Sequence, residues 1–168
     1  MSLGVKLVQA VQKEAAMKRP FPIQAEAHAS IKSGRKNRTV SAQVRLCDED
    51  RLSHLAEKVV VHVEGPGRDP ETSARRFSEK TTYLSEALQF VECDAQGSAI
   101  VRSTPQTMRA KGADYFEAKV GKNEITLCRY QAHSGKPGRA AIPFCVTDET
   151  LSRLADDASQ VLVGKVGK

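Results

Sequence analysis

The sequence predicts an α+β fold, an antiparallel β-sheet of about seven strands with about three helices packed on it. Two observations lead there. Apolar residues recur at helical spacing near the N-terminus and after Thr147, and at a spacing of two through most of the chain between. The strand-like runs are joined by short turns rather than by helical crossovers, which favours antiparallel neighbours.

The elements follow in order. Leu3, Leu7, Val11 and Ala15 line one face of an amphipathic helix over residues 3–17, ended by Pro20. From Phe21 the period changes to two. Phe21, Ile23, Ala25, Ala27, Ala29 and Ile31 alternate with polar residues along a strand buried on one face. A basic turn, residues 33–38, leads into a return strand carrying Ala42, Val44 and Leu46. Asp48, Glu49 and Asp50 then suit a helix N-terminus, with Leu52 and Leu55 facing inward. Val59–Val63 reads as a strand, and residues 65–80 as a mobile loop with no more than a short exposed helix. Beyond it lies a meander: 88–93 and 98–104 around a loop ending at Gly97, then 115–120 and 125–133 around Gly121-Lys122-Asn123. Residues 139–146 return after a second basic turn. Thr147, Asp148 and Glu149 open a last helix packed through Leu151, Leu154 and Ala155, and 160–163 reads as a short strand or extended tail.

An internal echo runs through this pattern. At an offset of 99 residues, Ala42, Leu52, Ser53, Leu55 and Ala56 recur as Ala141, Leu151, Ser152, Leu154 and Ala155, and acids recur at three further positions. Each copy follows a basic turn, Ser33-Gly34-Arg35-Lys36-Asn37-Arg38 or Ser134-Gly135-Lys136-Pro137-Gly138-Arg139. Either a hairpin–helix unit is present twice, over 21–58 and 124–157, or a common local solution has matched by chance.

Length and composition bound the rest. A chain of 168 residues fits a single domain, 1–168, and can bury a core without disulfide or metal staples. No apolar run reaches the length that spans a bilayer, and no signal-peptide pattern opens the chain. The expectation is a cytoplasmic protein with no membrane partner. Cys47, Cys93, Cys128 and Cys145 lie far apart and read as small reduced core residues. The net charge is +6, and its excess falls in the first quarter: through Val40 there are eight cations and two acids, after it eighteen of each. Such asymmetry points to an anionic partner or to a solvated surface.

No nucleophile elbow, zinc-protease helix, calcium loop, P-loop or dinucleotide fingerprint occurs. Accordingly no catalytic residue, metal ligand or cofactor is expected. His28 and His133 precede the two basic turns without further metal ligands at useful spacing, and His54 and His62 have no distinctive neighbours. The acids around Cys93 and at 48–50 suit turns and helix starts. Phe21, Phe90, Phe116 and Phe144 suit the core; Tyr83, Tyr115 and Tyr130 are candidates to face a ligand, with no evident pairing to the basic turns.

The basic turns carry the sharpest functional reading. Hairpin tips project from their sheet, so Arg35, Lys36, Arg38, Lys136 and Arg139 would reach successive phosphates, the second tip lengthening the track of the first. The sequence therefore reads as a small non-enzymatic binding module for nucleic acid or another polyanion. The alternative is a protein-interaction or homo-oligomeric subunit joined through its N-terminal helix or a sheet edge. An enzyme with a scattered site ranks third.

Overall fold

A computed structural model describes residues 1–104, 107–109, 112–133, 135 and 137–164. In chain order the elements are α1 (Leu3–Ala16), β1 (Ile23–Ser33), β2 (Lys36–Glu49), β3 (His54–Val63), α2 (Pro70–Lys80), β4 (Ala87–Cys93), β5 (Ala99–Thr104), β6 (Thr107–Arg109), β7 (Gly112–Val120), β8 (Glu124–His133), β9 (Arg139–Ile142), β10 (Phe144–Val146) and α3 (Asp148–Val163). The fold is α+β. Seven strands form one antiparallel sheet in the order β1-β2-β3-β8-β7-β5-β4, and three short strands join it at β3, β7 and β8.

Alternation explains the two faces of this sheet. Along β1, Ile23, Ala25, Ala27 and Ala29 are buried while Gln24, Glu26, His28 and Ser30 are exposed. The same inner face continues with Val40, Ala42, Val44 and Leu46 of β2, Val61 and Val63 of β3, and Ile125 and Leu127 of β8. All three helices pack here: α1 on β1 and β2, α3 across the middle, α2 on β4 and β5. Each is capped by its own sequence. Ser2 Oγ accepts from Val5 N, Asp69 from Thr72 N ahead of Pro70, and Thr147 Oγ1 from Thr150 N. Where α1 crosses α3, Gly4 leaves no room for a side chain: a Cβ there would lie 2.1 Å from Ser152 O. No helix among the described residues is long and apolar enough to cross a membrane.

Several expectations are corrected. The acids at 48–50 open no helix: β2 runs on to Glu49, and Asp50 Oδ1 accepts from Leu52 N and Ser53 N in a tight turn into β3. Leu52 is 85% exposed. The reason lies downstream. In the second copy the helical stripe continues through Ala158, Val161 and Leu162, all buried. After the first copy come Val59, Val60 and Val61, β-branched residues that complete a strand paired to β2 and β8. The echo thus shares its hairpin but not its helix, and units 21–58 and 124–157 are not two copies of one hairpin–helix structure.

Residues 65–80 are not a loop throughout, for they contain α2, which buries Ser73, Ala74 and Phe77. Residues 160–163 are the last turns of α3 rather than a strand or tail. Phe21 is exposed, and so are Cys93 and Cys145, whereas Cys47 and Cys128 are half-buried. The stretch 139–146 divides at Pro143 into β9, which pairs with β8, and β10, which pairs with β3. It fills the gap where those two strands diverge beyond the Val59–Leu127 pair.

Candidate functional site

The first basic turn is built as the sequence suggests. Ser33 pairs with Lys36 across a two-residue turn, and Gly34 takes the φ of +62° that a turn of this kind asks of its first central residue. Arg35 and Lys36 are exposed, and neither has an ion-pair partner. Arg38 does something different. Its Nε and Nη2 donate to Glu64 O (3.1 and 2.8 Å), and Nη2 also to Pro66 O (2.6 Å). From the other side Asn123 Nδ2 donates to Val63 O and Gly65 O, and Arg68 N to Lys122 O. The loop after β3 is therefore clasped between the β1–β2 tip and the β7–β8 turn. An open groove of about 500 Å³ lies there, lined by Lys36, Asn37, Arg38, Thr39 and the 64–66 backbone.

Cations gather at this end. Lys32, Arg35, Lys36 and Lys122 are exposed and unpaired among the described residues. Arg68 instead lies against Gly164 at the C-terminus of α3, where a cation complements the helix dipole. The acids nearby are Glu64, which is exposed, and Glu124, which faces His62 at 3.7 Å.

The second basic turn lies at the opposite end of the sheet. Register shows this directly: the β1–β2 tip adjoins Val63 and, through β3, Glu124 at the start of β8, while Arg139 pairs beside His133 at its finish. The ten residues of β8 separate them by about 30 Å at ~3.3 Å per residue. The two tips therefore do not extend one track as expected. Lys136 falls outside the described residues.

Arg139 is not a projecting cation. It lies on the sheet face that no helix covers, amid a cluster contributed by β5, β7, β8 and β9. Its Nη1 and Nη2 donate to Glu117 Oε2 and Oε1 (2.6 and 2.9 Å), and Nη1 also to Tyr115 Oη (3.1 Å). Arg102 Nε donates to Glu117 Oε2 from the other flank (2.7 Å). The Arg139 guanidinium sits 3.7 Å from the centre of the Tyr130 ring, and the Tyr115 and Tyr130 rings are 6.1 Å apart. The Glu117 side chain is 7% exposed. Burial opposes its charge, but hydrogen bonds from Arg139 and Arg102 outweigh that and hold its carboxyl below the usual carboxylate range. The same bonds raise Arg139 further above neutrality. Burial pushes the neighbouring Cys128 thiol and Tyr130 phenol up, so neither is an activated nucleophile.

Other polar groups are structural. Asp94 caps the β4–β5 turn by accepting from Gln96 N and Ser98 N. His28 faces Glu26 on the exposed side of β1. His54 has a neighbourhood that the sequence did not reveal: Glu49 (3.5 Å) faces it across the turn expected to be a helix start, and Asp148 (2.7 Å) comes from a segment 94 residues away. Among the described residues no three His, Cys, Asp or Glu side chains are grouped to hold a metal ion.

The tyrosine–arginine cluster was also missed as a unit. Its only sequence signal is alternation, which puts Tyr115 and Glu117 on one face of β7 and Cys128 and Tyr130 on one face of β8. No family model, no curated protein and no solved structure matches the chain.

Proposed function

We propose that the protein is a non-enzymatic binding module for nucleic acid, engaging the phosphate backbone with the end of the sheet where the β1–β2 tip, the loop after β3 and the β7–β8 turn meet. One observation carries this reading: Lys32, Arg35, Lys36 and Lys122 gather there without ion-pair partners among the described residues, on the two turns that clasp the loop, with Lys36 lining the groove between. Cations spent on internal acids have little left to offer a ligand, whereas these four can each neutralise a phosphate. Arg38 belongs to the site as the clasp that shapes it. The fixed loop reduces the ordering cost that binding must meet.

The test is fluorescence anisotropy of labelled oligonucleotides over a salt series. Four phosphate contacts give a log–log slope of roughly −2.8 on a single strand and −3.6 on a duplex. The triple variant Arg35→Ala, Lys36→Ala, Lys122→Ala should reduce the slope to about a quarter of its value and weaken binding on every sequence alike. Salt-independent binding, or binding that survives the triple variant, would dismiss the proposal.

A further inference from the structure

We infer that the outer face of the Arg139 guanidinium is a stacking platform for an unpaired nucleobase, about 30 Å along β8 from the basic end, so that a nucleic acid long enough to reach both is single-stranded; this rests on the binding proposed above. The geometry of the cluster argues for it. Three hydrogen bonds, two to Glu117 and one to Tyr115, fix the plane of the guanidinium. The Tyr130 ring supports it from beneath at 3.7 Å. An arginine on a protein surface ordinarily samples many rotamers, and a ligand must immobilise it; this one is immobilised beforehand.

Among the described residues Tyr130 is the one ring stacked on it. The side chain is 34% exposed, and no helix lies over this side of the sheet. The neighbouring β9 position on this face is Ala141, exposed, too small to block the approach and directly across from Tyr130. A planar cation backed by an aromatic ring accepts a second π-system on its outer side, giving a ring–cation–ring stack.

Charge and strand chemistry narrow the occupant. Two guanidiniums flank the one carboxylate of Glu117, leaving the cluster a net cation. Lys58, exposed on β3 and unpaired, lies close enough to Cys128 to act on its thiol electrostatically, which puts a further positive charge beside the platform. A base with its phosphate attached fits such a surface. Bases in a duplex are already stacked on one another and present only their edges, so the platform selects single strands. The same groups could hold the sheet together and do nothing else, and the experiment separates the two roles.

Labelled twelve-nucleotide thymidine strands and abasic strands of the same length and phosphate count are titrated into wild-type protein, Arg139→Lys, and the triple variant of the basic end. Lysine keeps the charge but loses the plane. Wild type should bind the base-bearing strand about tenfold more tightly than the abasic one, and Arg139→Lys should lose that factor while keeping its salt slope. With three tyrosines and no tryptophan, the protein offers tyrosine fluorescence as a second readout needing no variant, quenched by thymidine strands and not by abasic ones. Equal affinity of wild type for the two strands would overturn the stacking site and leave the phosphate contacts standing. Binding of neither strand would overturn both.

Discussion

At the scale of single residues the molecule separates cations that are spent from cations that are available. Arg102, Arg129 and Arg139 all close on buried carboxylates, Arg129 on Glu86 at 2.6 Å. The side chains of Arg35, Lys36 and Lys122 are exposed and have no ion-pair partner among the described residues. Glu117 offers a test of the spent class. Its carboxyl titrates below the ordinary 4.5 in the folded protein, so its contribution to stability is complete above that value and is lost as the pH falls through the lower, folded value. Glu117→Gln should therefore be less stable than wild type at pH 7 by roughly 2 kcal/mol, with the gap narrowing as the pH drops to about 3. Urea denaturation at the two pH values measures this, and a gap constant with pH would mean that Glu117 is not held by its arginines. No sequence argument could have separated spent from available arginines, because Glu117 meets Arg139 across 22 residues and Glu86 meets Arg129 across 43.

At the scale of elements, what was legible in the sequence was what short-range pattern encodes. The alternation of β1 and the stripes of α1 and α3 announce themselves because each has a run of apolar residues long enough to show its period. α2 does not. It has two apolar residues in its interior, Ala74 and Phe77, and its start signal is the pair Asp69-Pro70 rather than a periodic face. The helix read at residue 48 failed for the opposite reason: good cap chemistry was followed by valines. Two substitutions test how the helices are held. Phe77→Ala empties a fully buried site under α2 and should cost about 3–5 kcal/mol. Gly4→Ala forces α1 away from Ser152 O and should cost roughly 1–3 kcal/mol, although alanine favours a helix by nearly 1 kcal/mol in isolation. Chemical denaturation reads both, and a stabilised Gly4→Ala would show that α1 and α3 can separate freely.

At the scale of the whole molecule the sheet consists of two meanders. β1, β2 and β3 form one, and β4, β5, β7 and β8 the other; β3 and β8 pair over only four residues, 59–62 with 124–127. Hydrogen exchange should find the slowest amides in β2, β3, β7 and β8, with β1 and β4, each paired on one side only, exchanging sooner. Uniform protection across all seven strands would contradict that ordering. The seam also explains why the two basic turns could not be placed from sequence. Which end of the sheet a hairpin tip occupies depends on how the second meander docks on the first, and that pairing is long-range.

The split strand at Pro143 decides when this architecture becomes complete. β9 grips the second meander and β10 the first, so a single stretch of eight residues, 139–146, stitches together two halves whose facing strands β3 and β8 pair directly at only four positions. That stretch follows both meanders in the chain. During synthesis each half can form its own hairpins as it leaves the ribosome, yet the suture and the α3 that covers it follow both of them. Until then the nascent chain carries an unsealed sheet, bare over the middle of its apolar face that α3 covers. The interval between the emergence of β8 and of α3 is therefore when that apolar surface meets water.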